Sequence, residues 1–188
     1  PKFQLTRPAT GKLVIAGIAV GASTAAVIFI ETTSTYLQSA TWLHILAAWD
    51  MTDTGKRHLY VNGVDDLGTI TAYVNADIGY ASATDWVVGA DGVNPTNGRM
   101  NGCLAEMYFA PGQYLDFSLA ANRRKFISAS GKPVHLGADG SLPTGTAPLV
   151  YLHLDDAEAV ANFATNRGTG GNFSITGTLA TGSTSPSD

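Results

Sequence analysis

Charge is scarce in this chain. Asp, Glu, Lys and Arg together make up 14% of its 188 residues, against roughly a quarter in typical domains. Thr, Ser, Asn and Gly must therefore cover most of the surface. Such a surface suits proteins that pack against neighbours, and it is also found on extracellular β-proteins. The net charge of −4 leaves no basic patch to neutralise phosphates, which excludes a nucleic-acid partner. Cysteine is almost absent. Cys103 stands alone, so no internal disulfide framework exists, and a bacterial or viral source or a reducing compartment is favoured. Long apolar runs are missing too. Leu13–Val20 and Ala25–Ile30 are interrupted by Gly17, Gly21, Ser23 and Thr24, which rules out a membrane-spanning segment there. No signal-peptide pattern is present, and Pro1 leaves the native N-terminus open. The phosphate-cradling glycine loops, CxxC pairs, HExxH helix and GxSxG elbow are all missing.

What remains is β-pattern. Leu43, Ile45, Ala47, Trp49 and Met51 alternate with Trp42, His44 and Asp50, placing an apolar set on one face of a strand. Asp53-Thr54-Gly55-Lys56 supplies turn chemistry, and Leu59 and Val61 resume the inward face. Asn62-Gly63 is a hairpin signal, because both residues tolerate positive φ. Ile70, Ala72 and Val74 predict a further strand, and Trp86–Ala90 and Cys103–Phe109 two more. On the Cys103 strand the thiol shares a side with Ala105, Met107 and Phe109, which predicts a buried structural cysteine.

The C-terminal half predicts one helix. Ser118 is placed as its N-cap, Leu119, Phe126 and Ile127 as residues that can share one face, and Gly131 as its stop. Arg123, Arg124 and Lys125 fall in its last turns, where cations complement the dipole. Leu149–Leu154 and the alternating Phe173–Leu179 predict two last strands, and the apolar-poor end predicts a flexible tail. Short strands, glycine-rich turns and a single helix indicate an all-β sandwich. Residues 1–35 form an N-terminal arm or the first strands, 36–180 the sandwich, and 181–188 the tail.

The order of Trp49-Asp50, LYVNG at 59–63, Trp86-Val87-Val88-Gly89 and NGCLAEMYF at 101–109 resembles the laminin-G-like, concanavalin-A-like lectin and glucanase sandwiches. The likeness implies a jelly-roll β-sandwich with one short helix. The stretch from Tyr114 to Asp156, followed by NFATNRGTGGNFSITGTL at 162–179, is similar to the ending of lectin-like domains in tailed-bacteriophage virion proteins. The first 35 residues match neither pattern closely.

Each activity this scaffold hosts has a residue requirement. Glycoside hydrolysis needs two carboxylates flanking the bond. Glu106 stands alone on its strand, with Leu104 and Tyr108 two positions away, so a hydrogen-bonding or rim role is expected and no catalysis. Calcium needs several hard oxygen ligands. Asp85 and Asp91, with Asn94 and Asn97, surround the Trp86 strand, and Asp155, Asp156 and Glu158 follow the Leu149 strand. Neither group has EF-hand spacing, and Asx residues in Gly/Pro loops ordinarily build turns, or here cap a short helix over 157–163. A sugar site would stack a pyranose on Trp42, Tyr80 or Trp86 and grip its hydroxyls with Asn94, Asn97, Arg99 and Asp91. Large aromatics dominate cores, so packing is the first expectation for Trp42 and Trp86, and Trp49 belongs to the apolar face.

The resemblance therefore implies a non-catalytic virion protein of a tailed phage, in the capsid or tail. Its partners would be other virion proteins, further copies of itself and host-surface glycans, with Ca²⁺ as the one metal the family pattern suggests. The competing expectation is a secreted or cell-surface bacterial carbohydrate-binding module, with a degenerate hydrolase third.

Overall fold

The computed structural model describes residues 3–21, 25–38, 41–80, 86–90, 98–155 and 158–186. Among the described residues the chain is nearly all β, with antiparallel sheets and one short α-helix, as in an all-β sandwich. It divides into two compact units, Pro1–Asn101 and Gly102–Asp188.

In the first unit the N-terminal residues are themselves strands. β1 (Phe3–Thr6), β2 (Val14–Ile18), β3 (Ala26–Thr32) and β7 (Leu67–Tyr73) form an antiparallel sheet in the order β1-β2-β3-β7. β4 (Ile45–Trp49), β5 (Arg57–Val61) and β6 (Val64–Asp65) form a second, three-stranded sheet. Ile15, Val27, Ile28 and Ile30 of the first sheet and Leu59 of the second share one buried cluster, flanked by Ile45, Ala47, Trp49 and Met51. Four of the five residues read as the inward face of β4 thus pack where the period placed them, whereas Leu43 is exposed and Leu46, of the opposite parity, is the buried residue of the strand. Asn62 and Gly63 turn β5 into β6 with φ of 52° and 79°, the double positive φ that a tight hairpin requires.

Two polar anchors tie the connection after β3. Thr32, fully buried, accepts a hydrogen bond from the Leu13 amide at 3.0 Å and donates to Ser34 O at 2.8 Å. Asp66, also buried, accepts from the Ser34 amide and hydroxyl, each at 3.0 Å, and from the Tyr36 hydroxyl. A carboxylate taken out of water needs several such donors. Beside it Gly68 faces main chain. A Cβ there would lie 2.6 Å from Thr33 N and 2.7 Å from Thr32 C.

The second unit is built on the ladder of β8 (Glu106–Phe109) and β9 (Val150–His153). Phe117, Phe126, Ile127, Leu136, Val150, Tyr151 and Leu152 are buried in it. Its helix, α1 (Ala120–Arg123), is shorter than the sequence implies, and Ser118 is not its cap. Asp116 Oδ1 takes both the Ser118 amide at 2.9 Å and the Ser118 hydroxyl at 2.6 Å, leaving Leu119 as an uncapped N-cap. Leu119 is exposed and does not share a buried face with Phe126 and Ile127. Phe126 is buried with its ring edge-on to Tyr108 and Phe117, at 5.3 and 5.7 Å, and Ile127 is buried where its main chain bridges Pro133. The cationic run satisfies carbonyls: Arg124 Nη1 donates to Ser128 O at 2.6 Å and Lys125 Nζ to Pro143 O at 2.7 Å.

Three other expectations are corrected. Trp86–Ala90 is not a strand, because Gly89 turns the chain at φ 81°. Phe173–Leu179 is not a strand either. Gly177 sits at φ 98°, and Ile175 and Leu179 remain exposed. Cys103 precedes β8 rather than lying in it, and its thiol is exposed.

Candidate functional site

A group of polar side chains of the second unit converges at one end of the β8–β9 ladder. The register sets Glu106 opposite His153 and Tyr108 opposite Tyr151. The Tyr151 amide donates to Asn166 Oδ1 at 2.8 Å, and the Tyr151 carbonyl accepts from the Arg167 amide at 2.9 Å. Both main-chain groups of Tyr151 therefore face away from β8. That makes Tyr108–Tyr151 a non-hydrogen-bonded pair and, by alternation, Glu106–His153 another, the pair type whose side chains come closest.

The side chains on this face are crowded. Tyr151 stacks on His153 with ring centroids 5.6 Å apart and an interplanar angle of 5°. Among the described residues, Glu106 Oε1, Tyr108 Oη and Tyr151 Oη are buried with no hydrogen bond of good geometry, although Tyr151 is near enough to interact with the Glu106 carboxyl. Burial accordingly pushes the Glu106 carboxyl from 4.5 up to about 7, because a charge held away from water is disfavoured. It raises the Tyr108 and Tyr151 phenols too, and at Tyr151 the neighbouring Glu106 charge adds to the effect.

Beyond His153 the network reaches solvent. His135 meets the His153 ring edge-on at 5.8 Å, and its Nδ1 accepts the Gly137 amide at 3.1 Å. His153 Nε2 lies 3.2 Å from Asp155 Oδ1. Arg167 Nη1 donates to Asp155 Oδ2 at 3.1 Å, and Nη2 donates to Glu158 Oε2. The Arg167 hydrogen bond first, and then His153, hold the Asp155 carboxyl below its ordinary value. Glu158 Oε2 also accepts the Asp155 amide at 3.0 Å, while the Glu158 amide donates to Asp155 O at 2.9 Å. This pair closes the turn before the 3-10 helix Val160–Ala164. An open hollow of about 400 Å³ adjoins it, lined by Ala138, Glu158, Asn162, Thr165 and Arg167.

The glycine-rich loop Asn166–Phe173 aims Arg167. Asn166 is buried, bridging the Tyr151 and Gly168 amides and the Leu149 carbonyl. A Cβ on Gly168 would sit 2.5 Å from Pro148 O, and one on Gly170 2.8 Å from Leu149 O. The loop must therefore be bare to lie flat along β9. Arg167, His135 and His153 were not singled out in the sequence. Three residues brought together from strand, loop and loop leave no fixed spacing to read, although the acidic half, Asp155 and Glu158, was visible as a cluster.

The residues proposed for a sugar site fall elsewhere. Tyr80 is half-buried, its hydroxyl accepting Trp49 Nε1–H at 2.9 Å and its ring meeting Phe3 edge-on at 5.2 Å. Burial pushes its phenol up to about 12. Trp86 is half-buried with its centroid 6.4 Å from Phe3, which also lies 5.5 Å from Trp49. Tyr80 and Trp86 thus share Phe3 as a common packing partner. Trp42 is half-buried and Arg99 exposed. Asn94, Asn97, Asp85 and Asp91 lie outside the described residues, as does Asp156.

No protein-family model matches the chain, no curated protein matches it, and no solved structure matches it.

Proposed function

We propose that this chain is a non-catalytic structural module that works by packing against other protein surfaces. In the form the sequence resemblance suggests, it is a jelly-roll building block of a tailed-phage virion, carried on the capsid or tail. The observation that supports this most is the surface itself. Val20, Leu37, Val64 and Leu142 are 62%, 72%, 67% and 69% exposed, in a chain with 14% charged residues. Single exposed aliphatics are ordinary, but sparse charge removes the usual deterrent to association. Where such a surface does drive self-association, closed symmetric homo-oligomers are the usual product.

Catalysis has less support. Glu106 is the one carboxylate on β8, and β9, which pairs with it, carries none. The sugar-binding alternative is weakened at Tyr80, whose ring and hydroxyl are both engaged by Phe3 and Trp49.

Light scattering coupled to gel filtration tests the reading. Association into a discrete oligomer, weakened by L37K or V64K, is the expected result. A chain that stays monomeric at 100 μM, as a chosen test concentration, and binds a bacterial glycan array in competition with free sugar overturns it in favour of the carbohydrate-binding module.

A further inference from the structure

Two imidazoles and a carboxylate stand together at the solvent end of the β8–β9 ladder. The ligating atoms of His135, His153 and Asp155 all lie within 4.8 Å of one another. We propose that this triad is a binding site for a first-row divalent transition ion of the Zn²⁺ class.

The donor set decides the type of ion. Ca²⁺ takes six to eight oxygens, whereas two imidazole nitrogens with one carboxylate suit Zn²⁺, Ni²⁺ or Cu²⁺. The spacing agrees. Ligands held about 2.0–2.1 Å from a tetrahedral ion are separated by roughly 3.3 Å, and His153 Nε2 already stands 3.2 Å from Asp155 Oδ1. His135 is exposed, so its side chain can swing to complete the set. Its imidazole gives up the 3.1 Å contact with the Gly137 amide if Nδ1 is the ligating atom. Three protein ligands leave a fourth position for water, on the side that solvent reaches.

The surroundings already resemble the outer shell of a metal site. Metal-bound carboxylates are oriented by hydrogen bonds to their free oxygen. Arg167 supplies that bond, holding Asp155 Oδ2 and leaving Oδ1 to His153. Arg167 does not make the site cationic, because Glu158 also pairs with it. Asp155, Glu158 and Arg167 carry −1, −1 and +1, a sum of −1 with both imidazoles neutral. The Tyr151 stack holds the His153 ring from behind, so one of the two nitrogen ligands is preorganised.

The site also has structural sense. His135 lies in the loop whose Leu136 is buried, while His153 ends β9. An ion would pin that loop to the strand without a disulfide, in a chain with a single cysteine.

Calorimetric titration and thermal melting of the metal-stripped chain with ZnCl₂ and with CaCl₂ test the assignment. Wild type and C103S are run side by side, since the exposed thiol is a second soft ligand. The expected result is one Zn²⁺ per chain in both proteins, a melting temperature raised by Zn²⁺, and no response to Ca²⁺ at the same concentration. H135Q and D155N should each weaken Zn²⁺ binding tenfold or more. Both replaced side chains are exposed, so the metal-free melting temperature of each variant should match wild type and show that it folds. No Zn²⁺ uptake by wild type, or uptake undiminished in H135Q, overturns the assignment.

Discussion

Glu106 makes a quantitative prediction about pH. Its carboxyl sits among two buried tyrosine hydroxyls, with no hydrogen bond of good geometry to Oε1 among the described residues, and burial raises it from 4.5 to about 7. A raised acid favours its protonated form in the folded state. Below pH 4.5 it is protonated in both states and costs nothing. Between 4.5 and about 7 the unfolded chain ionises freely while the folded one resists, so stability falls as pH rises. Above 7 the deficit is constant. At about 1.4 kcal/mol per pH unit the full interval is roughly 3 kcal/mol, or about 2 kcal/mol once the part of the side chain open to solvent is discounted. Glu106→Gln preserves the shape and the neutral state. It should therefore be as stable as wild type at pH 4.5 and about 2 kcal/mol more stable at pH 8. Urea unfolding across that range, followed by hydrogen exchange of the β8–β9 amides, measures the difference. A difference between variant and wild type that stays flat with pH refutes the reasoning, since every other titrating group cancels in it.

Two further outcomes concern the first unit. Gly68→Ala forces a methyl to within 2.6–2.7 Å of the Thr32–Thr33 main chain, where nothing flexible can yield, and should destabilise by about 2 kcal/mol or more in denaturant melts. Tyr36→Phe removes one of the donors to buried Asp66 and should cost about 1–3 kcal/mol. The same hydroxyl titrates near 12, pushed up first by burial and then by Asp66, so a spectrophotometric titration should show one fewer late-ionising tyrosine in the variant.

Local rules were legible where one residue pattern and one tertiary demand coincided. The apolar alternation of Ile45, Ala47 and Trp49 and the Asn62-Gly63 turn place β4, β5 and β6 correctly, because a half-buried strand and a tight hairpin each leave a direct mark on sequence. The same alternation misled at Phe173–Leu179, where Gly177 leaves the extended region and Ile175 and Leu179 gain no burial. Period two states that a segment can be a strand. It does not state that a partner edge is available. At Ser118 the pattern was right for a cap, but Asp116 two residues earlier captured both the amide and the hydroxyl, a competition between local hydrogen bonds that residue preference alone does not rank. The His135–His153–Asp155 grouping was illegible for a different reason. His135 and His153 are 18 positions apart and meet only because a loop folds back on the end of β9.

The glycine-rich loop beside β9 has a consequence for the free edge of that strand. β9 pairs with β8 on one side, and its other edge would present open amides and carbonyls to any passing strand. Asn166 and Arg167 occupy the Tyr151 amide and carbonyl, while Thr169 and Gly170 occupy Pro148 O and Leu149 O just upstream. The loop mimics a neighbouring strand's hydrogen bonds without extending the sheet. It acts as a stopper, ending a ladder that could otherwise recruit a second chain by edge pairing. In a protein with so little charge for repulsion, that safeguard is built from main chain and an asparagine amide.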